Sequence, residues 1–363
     1  MTRPTRYQSL AKNKSNHLTD KAAGSFCSDV IVIGASMGGF HALRHLIGAF
    51  PDDLAASVFV VLHIPADHRS YLAESFGRSS KLPVVTAADH EQIKSGHVYV
   101  AGPDFHLQFN GSQIQLDHGP KHNFHRPAVD TLFVSAANTF GPRVIGVVLT
   151  GALDDGTAGL MEIKRNGGIS VIQDPDDCAN PSMPASALNC VPIDHCVPMS
   201  GMAPLLYKLA GQPVKASVIR EGKHVAKSTE AELSTHICPE CNGPMWIVET
   251  GKLLHFHCRI GHAFSGQSLL VEKSMALESA LWSAVNALKD KGNIATKLAQ
   301  RSNGKKTDSE AKKYFLGQAK TAAHYADVIT EMLIRDSSPT AVANKKPKTR
   351  LLRKSLHSSK EAE

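Results

Sequence analysis

The hexapeptide Gly34-Ala35-Ser36-Met37-Gly38-Gly39 places a serine between glycines, directly after an apolar run and directly before a helical pattern. This is a G-x-S-x-G match in the strand–turn–helix setting of a nucleophile elbow, where glycines permit the sharp turn and a hydroxyl projects from a strand end. The helix N-terminus aims backbone N–H groups at the same point, where a developing oxyanion needs them. A glycine-rich phosphate turn is the other reading. The dinucleotide fingerprint is not met, and no Gly-Lys-Ser/Thr follows.

A nucleophilic serine needs a base and an acid. His63 closes the apolar run Ser57–Leu62 and precedes Ile64-Pro65, so it sits where functional residues of a parallel sheet collect. A second run, Val144–Leu149, leads into Thr150-Gly151-Ala152-Leu153-Asp154-Asp155-Gly156. A carboxylate there is expected to accept the imidazole Nδ1–H, while the other aspartate caps a helix starting near Thr157. Ser36, His63 and one of these aspartates therefore end three different strands. Their chain order, Ser, His, Asp, differs from that of α/β-hydrolases.

A separate constellation is Cys238-Pro-Glu-Cys241 followed by Cys258 and His262, a C-x2-C and a C-x3-H pair with zinc-ribbon spacing. Three thiolates and an imidazole suit a closed, structural zinc site that would supply folding energy to a segment with little core. His255 and His257 are alternative fourth ligands, and a set of reduced thiols is the plain alternative. No cofactor is expected for catalysis. Cys27, Cys178, Cys190 and Cys196 lack ligand spacing and read as buried or incidental thiols.

The elements that must position these groups alternate along residues 29–210. Val30–Ile33, Ser57–Leu62, Val144–Leu149 and Ile169–Ile172 are continuous apolar runs separated by helical stretches such as His41–Ile47. That pattern predicts an α/β fold with a doubly wound, mainly parallel sheet. The segments around Val98-Tyr99-Val100, Leu107-Gln108-Phe109 and Ile114-Gln115-Leu116 alternate instead, and Asn110-Gly111 marks an antiparallel hairpin. A polar linker is expected over 211–236, the Cys/His ribbon over 237–264, and a helical αα-hairpin over 265–335. Its helices carry the stripes Leu270, Ser274, Leu277, Leu281, Ala284, Leu288 and Ala311, Phe315, Ala319, Ala322, Ala326, Ile329, separated by Ser302-Asn303-Gly304.

The chain of 363 residues carries a formal charge of +7, but residues 1–27 and 336–363 contribute +4 each, leaving the body at −1. Flexible basic ends and a body without excess charge argue against nucleic-acid binding as the main function. No run of eighteen apolar residues suggests a membrane span, and the N-terminus lacks the apolar stretch of a signal peptide, so a cytoplasmic location is expected.

Residues 29–210 resemble the chemotaxis protein-glutamate methylesterases, the CheB family. The ordered motifs are Gly34–Gly39, His63-Ile64-Pro65, Gly96–Ala101, His125-Arg126-Pro127-Ala128-Val129-Asp130, Leu149–Gly156 and Ser182-Met183-Pro184. The resemblance implies Ser36 as nucleophile, His63 as base and Asp155, rather than Asp154, as triad acid. It implies hydrolysis of glutamyl methyl esters on chemoreceptor cytoplasmic domains, with deamidation of receptor glutamines as a second activity. Backbone N–H groups of Met37 and Ala152 are expected to hold the oxyanion. His125 and Arg126 either line the cleft or form a structural turn before Pro127. Met37 stands where the family commonly has Thr, and Gly151-Ala152-Leu153 replaces Gly-Met-Gly. The receiver domain that precedes the family's catalytic domain has no counterpart before residue 29, and the segment 237–290 looks like an extension found on some members. A non-catalytic signalling scaffold, binding a partner through the ribbon and hairpin, is the competing expectation. A third reading makes the ribbon and basic tail a nucleic-acid module.

Overall fold

A computed structural model describes residues 29–65, 70–214, 232–301 and 306–336. The basic N-terminus 1–28, most of the expected linker, the Ser302-Asn303-Gly304 turn and the basic tail beyond 336 lie outside the described residues. The chain divides into two compact units after Ser268.

The centre of the first unit is strand β1 (Val30–Ala35), parallel to β2 (Ser57–Leu62) on one side and to β7 (Val144–Val148) on the other. With β3 (Val84–Thr86), β4 (Val98–Val100), β8 (Ile169–Gln173) and β9 (His195–Val197) they form a seven-stranded parallel sheet, ordered β3-β4-β2-β1-β7-β8-β9. β1, β2 and β7 are buried along their whole length, as their continuous apolar runs require.

Alternate residues of each strand face opposite layers. Ile31, Ile33, Val58 and Val147 pack with α1 (Gly39–Ala49), α2 (Leu72–Gly77) and α6 (Met199–Leu209). Val30, Val32, Phe59 and Val148 pack with α3 (Val129–Phe140), α4 (Thr157–Arg165) and α5 (Ser182–Cys190). Helices thus cover both faces, as expected of a doubly wound sheet. The antiparallel hairpin is also present, formed by β5 (His106–Asn110) and β6 (Gln113–Asp117).

One strand differs from the sequence reading. Val98–Val100 belongs to the parallel sheet, fully buried between β3 and β2, and not to the alternating hairpin region. Three residues are too few for an alternating pattern to distinguish half-buried from buried.

The strand order switches sides at β1, with β2 and β7 as its parallel neighbours, so the carboxyl ends of β2, β1 and β7 lie side by side, where such sheets form a crevice. Gly34 matters to this edge. A methyl group at Gly34 would overlap the Val129 side chain at the start of α3. Gly34→Ala is expected to destabilise the fold by about 1–3 kcal/mol through overpacking, seen as a lower thermal unfolding midpoint.

The ribbon begins earlier than the sequence suggests, because β10 (Glu232–Ile237) occupies the end of the expected linker. With β11 (Pro244–Thr250), β12 (Leu253–Cys258) and β13 (Ala263–Ser265) it forms a four-stranded antiparallel sheet.

The second unit consists of the continuation of α7 (Gly266–Arg301) and of α8 (Lys306–Asp336). Gly292 lies against Ala319 and Ala322, where a methyl group at 292 would be 3.8 Å from the Ala322 Cβ. Val285, Ala295 and Ala299 of α7 and Ala322, Ala326 and Leu333 of α8 are buried. The α8 stripe is therefore as expected, whereas Leu270 and Leu277 at the start of the α7 stripe are 67% and 61% exposed.

Candidate active site

Ser36 follows β1 at a turn closed by the Gly39 N–H on the Ser36 carbonyl (2.8 Å), with Gly38 in the left-handed region at φ 79°. Its own N–H donates to the Thr150 carbonyl at the end of β7 (3.0 Å). His63 follows β2, and its N–H donates to the Ala35 carbonyl (3.2 Å), which sets its main chain beside Ser36. Asp155 lies in the loop between β7 and α4. Three neighbouring strand ends thus supply the serine, the histidine and the aspartate.

Asp155 is fixed from several sides. Its Oδ2 accepts from His63 Nε2 (2.7 Å) and from the Val129 N–H (2.7 Å). Its Oδ1 accepts from the N–H groups of Asp130 and Gly156 (3.1 Å each) and from Asn123 Nδ2 (3.1 Å). Val129 and Asp130 open α3, so the carboxylate sits on the positive end of a helix. Burial alone would push its carboxyl up. The hydrogen bond and charge of His63 outweigh burial, and with the N–H of Val129 they hold Asp155 well below the usual carboxylate range. Neighbouring Asp130 behaves oppositely: burial and the Asp155 charge raise it well above that range.

The imidazole nitrogen that meets the acid is Nε2, not the expected Nδ1. Asp155 is pinned at the α3 terminus and meets the ring atom farthest from the His63 main chain. Nδ1, the nitrogen nearer the main chain, is buried without a partner. Among the described residues no hydrogen bond joins the Ser36 hydroxyl to His63; such bonds commonly tighten only when substrate arrives.

His125 stacks on His63 with ring centroids 3.5 Å apart and 10° between planes. Burial, and then the His63 charge, push His125 down to about 4, so at neutral pH an uncharged ring covers one face of His63. Arg126 takes the structural role. Its guanidinium binds Asp104 Oδ1 (2.6 and 3.0 Å) and the carbonyl of Gly119 (2.6 Å).

Among the described residues nothing accepts the N–H of Met37 or Ala152. Both flank Ser36: Met37 follows it, and Ala152 follows Gly151, where a methyl group would lie 2.9 Å from the Ser36 Cβ. The Met37 side chain is 61% exposed.

Asp154 and Asp155 do not cap α4 with their side chains; Gly156 occupies that position, and Asp154 contributes only its carbonyl, to the Thr157 N–H (3.1 Å). The Asp154 carboxylate instead accepts from Ser265 Oγ (2.6 Å) and Ser268 Oγ (3.3 Å) of the ribbon end.

The second constellation also assembles. The ligand atoms of Cys238, Cys241, Cys258 and His262 all lie within 4.8 Å of one another. Cys241 Sγ is 3.6 Å from Cys258 Sγ, and His262 Nδ1 is 3.7 and 3.5 Å from the sulfurs of Cys238 and Cys258. A tetrahedron with Zn–S near 2.3 Å and Zn–N near 2.0–2.1 Å has edges of about 3.8 and about 3.6 Å, so the donor set fits zinc. Of the alternative ligands, His257 stacks on Trp246 and His255 lines a cavity with Phe264, outside the cluster.

Comparison with known proteins gives the family. A family model described as CheB methylesterase matches residues 31–206. A putative protein-glutamate methylesterase/protein-glutamine glutaminase of Leptospira interrogans is 35% identical over 182 residues, 50% of this chain and 94% of that protein. The chain belongs to the CheB methylesterase family. A protein-glutamate methylesterase/protein-glutamine glutaminase of Chromohalobacter salexigens is 39% identical over 163 residues, covering 44% of this chain and 46% of its own length. The crystal structure of the Thermotoga maritima CheB methylesterase catalytic domain superposes with a TM-score of 0.48 and 33% identity, over 50% of this chain and 98% of that one. The family match ends before the ribbon and the helices.

Several site residues escaped the sequence reading. The Thr150 hydroxyl accepts from the Asn180 N–H (2.8 Å) and lies 3.0 Å from the Met37 carbonyl, tying the serine turn to the β7 loop. Asn123 binds both Asp155 and Asp130. Thr150 stands inside a motif that drew notice; nothing local marks Asn123.

Proposed function

We propose that this chain is a protein-glutamate methylesterase that removes methyl groups from glutamate side chains of chemoreceptor cytoplasmic domains, with receptor glutamines as a second substrate. The observation that supports this reading is that Ser36, His63 and Asp155 follow three adjacent strands of the sheet, with His63 hydrogen-bonded to Asp155, in a chain of this family. It also implies action in the cytoplasm; no helix among the described residues is long and apolar enough to cross a membrane.

In this reading Ser36 Oγ attacks the ester carbonyl carbon while its proton passes to His63 Nδ1. Asp155 orients the ring and stabilises the imidazolium. The N–H groups of Met37 and Ala152 receive the oxyanion. Collapse of the tetrahedral intermediate expels methanol, which takes the proton from Nδ1. Water then enters by the same route in reverse roles and releases the glutamate. A glutamine substrate follows the same steps and expels ammonia. The test is methanol release from membranes bearing methylated chemoreceptors, incubated with the full chain. Release above the rate of untreated membranes is expected; none would overturn the reading.

The ribbon is a structural zinc site in this reading, since four protein ligands leave no open position for catalysis. Elemental analysis of the purified chain is expected to give one zinc per chain, falling to background in Cys258→Ser. A full zinc complement in that variant would remove Cys258 from the ligand set.

A further inference from the structure

The loop that carries His125 and Asn123 touches two members of the triad, and it is held from outside by the ribbon. Asn123 sits at φ 49° in a tight turn, between His122 and His125, whose main chains bond each other at 2.9 and 3.2 Å. On its inner side the Asn123 amide nitrogen donates to Asp155 Oδ1 (3.1 Å) and Asp130 Oδ2 (3.2 Å). On its outer side the same amide's oxygen accepts the N–H of Ser265 (2.8 Å).

The ribbon contact is more than one bond. The Asn123 N–H donates to the Ala263 carbonyl (2.8 Å), His122 and Ala263 pair as a parallel bridge, and Phe124 packs on Phe264 with centroids 4.7 Å apart. Ser265 Oγ reaches Asp154, the residue next to the triad acid, at 2.6 Å. Asn123, Asp154 and Ser265 are all buried, at 5%, 8% and 6% exposure. Hydrogen bonds in such a setting are strong when complete and costly when one partner leaves.

We propose that Asn123 and Ser265 are positioning residues for the esterase: β13 of the ribbon fixes the Asn123 amide, and that amide fixes the carboxylate of Asp155 for His63. An asparagine amide without the Ser265 N–H can turn its oxygen toward Asp155 and repel it; the Ser265 donor forbids that orientation. The ribbon is then a working part of the active site, although the family match stops at residue 206. His262 of the Cys/His cluster immediately precedes β13, so the candidate zinc site and the Asn123 clamp share one stretch of chain.

The inference rests on the methylesterase reading and is tested beside it, by kcat and KM for methanol release from methylated receptor membranes. The variants are Asn123→Gly, which keeps the left-handed backbone, Ser265→Ala, which keeps the N–H, and Ser265→Pro, which removes it. The Ser265 N–H points to Asn123 and not into the β12–β13 ladder, so proline deletes this donor alone from the main chain. Asn123→Gly and Ser265→Pro are each expected to lower kcat about tenfold, as loss of one hydrogen bond to an ionised group would. KM stays within twofold, and Ser265→Ala retains more of the wild-type kcat than Ser265→Pro.

The double variant Asn123→Gly with Ser265→Pro is expected to match Asn123→Gly alone, because both act through one amide. Losses that multiply, or wild-type kcat in Asn123→Gly, would overturn the inference while wild-type activity upholds the esterase. A wild-type chain without activity would overturn both. Should Asn123→Gly fail to fold by circular dichroism, equal kcat in the two Ser265 variants would still overturn it.

Discussion

Ser36→Ala lowers kcat for methanol release by about 10⁵- to 10⁶-fold, the scale on which a triad nucleophile acts with its partners as a unit. The thermal unfolding midpoint is expected to stay at the wild-type value. Ser36 serves the fold through its main chain: its N–H binds the Thr150 carbonyl and its carbonyl binds the Gly39 N–H, and both survive the substitution. The hydroxyl makes no hydrogen bond to another described residue, so its loss leaves no buried group unsatisfied. Binding is also preserved, because the N–H groups of Met37 and Ala152 and the covered face of His63 do not depend on Oγ. Activity and stability therefore separate at this position. A variant retaining more than about one hundredth of wild-type kcat would place the nucleophile elsewhere; the expected remainder, contributed by the oxyanion site, is far smaller.

The positions of Ser36, His63 and Asp155 were legible in the sequence because Ser36 and His63 directly follow apolar runs and Asp155 lies in the loop after a third, and runs of five or six buried residues read clearly as strands. Strand β3 and strand β9 were not, since three residues at a sheet edge leave too little pattern. The same brevity disguised β4. What the sequence concealed about the site has one common cause, the separation of the partners along the chain. Asp154 reads locally as a helix cap, yet its carboxylate is taken by Ser265, 111 positions later. Nothing in its neighbours marks Asn123, and its two sides bind Asp155 and Ser265, 32 and 142 positions away. Arg126 reads as a candidate for the cleft, and Asp104 claims it. Turn chemistry is short-ranged and can be read from neighbours; a buried polar network is satisfied by whatever the packed elements bring together.

That network sets the outcome of the second large substitution, Asp155→Asn. Five donors converge on an acceptor-only group: two on Oδ2, from His63 and Val129, and three on Oδ1, from Asn123, Asp130 and Gly156. An asparagine amide must direct its NH2 at one of these sets. Facing Oδ1 it would confront three donors, so the NH2 takes the Oδ2 side and meets His63 Nε2. The imidazole then accepts at Nε2 and carries its proton on Nδ1, the nitrogen that has to receive the serine proton. The inverted tautomer is expected to lower kcat by about 10⁴-fold with little change in KM. Stability falls as well, by about 1–3 kcal/mol, because the Val129 N–H is left facing another donor in a buried site. The loss is pH-dependent, and its sign follows from the direction of the Asp155 shift. A carboxyl held below its ordinary value stabilises the fold above the unfolded pKa of about 3.9, and that contribution fades as pH falls through the folded value. Unfolding midpoints of wild type and Asp155→Asn should therefore differ most near neutrality and approach each other below about pH 4. Midpoints that stay equally far apart down to pH 2 would show that Asp155 is not held ionised by its five donors.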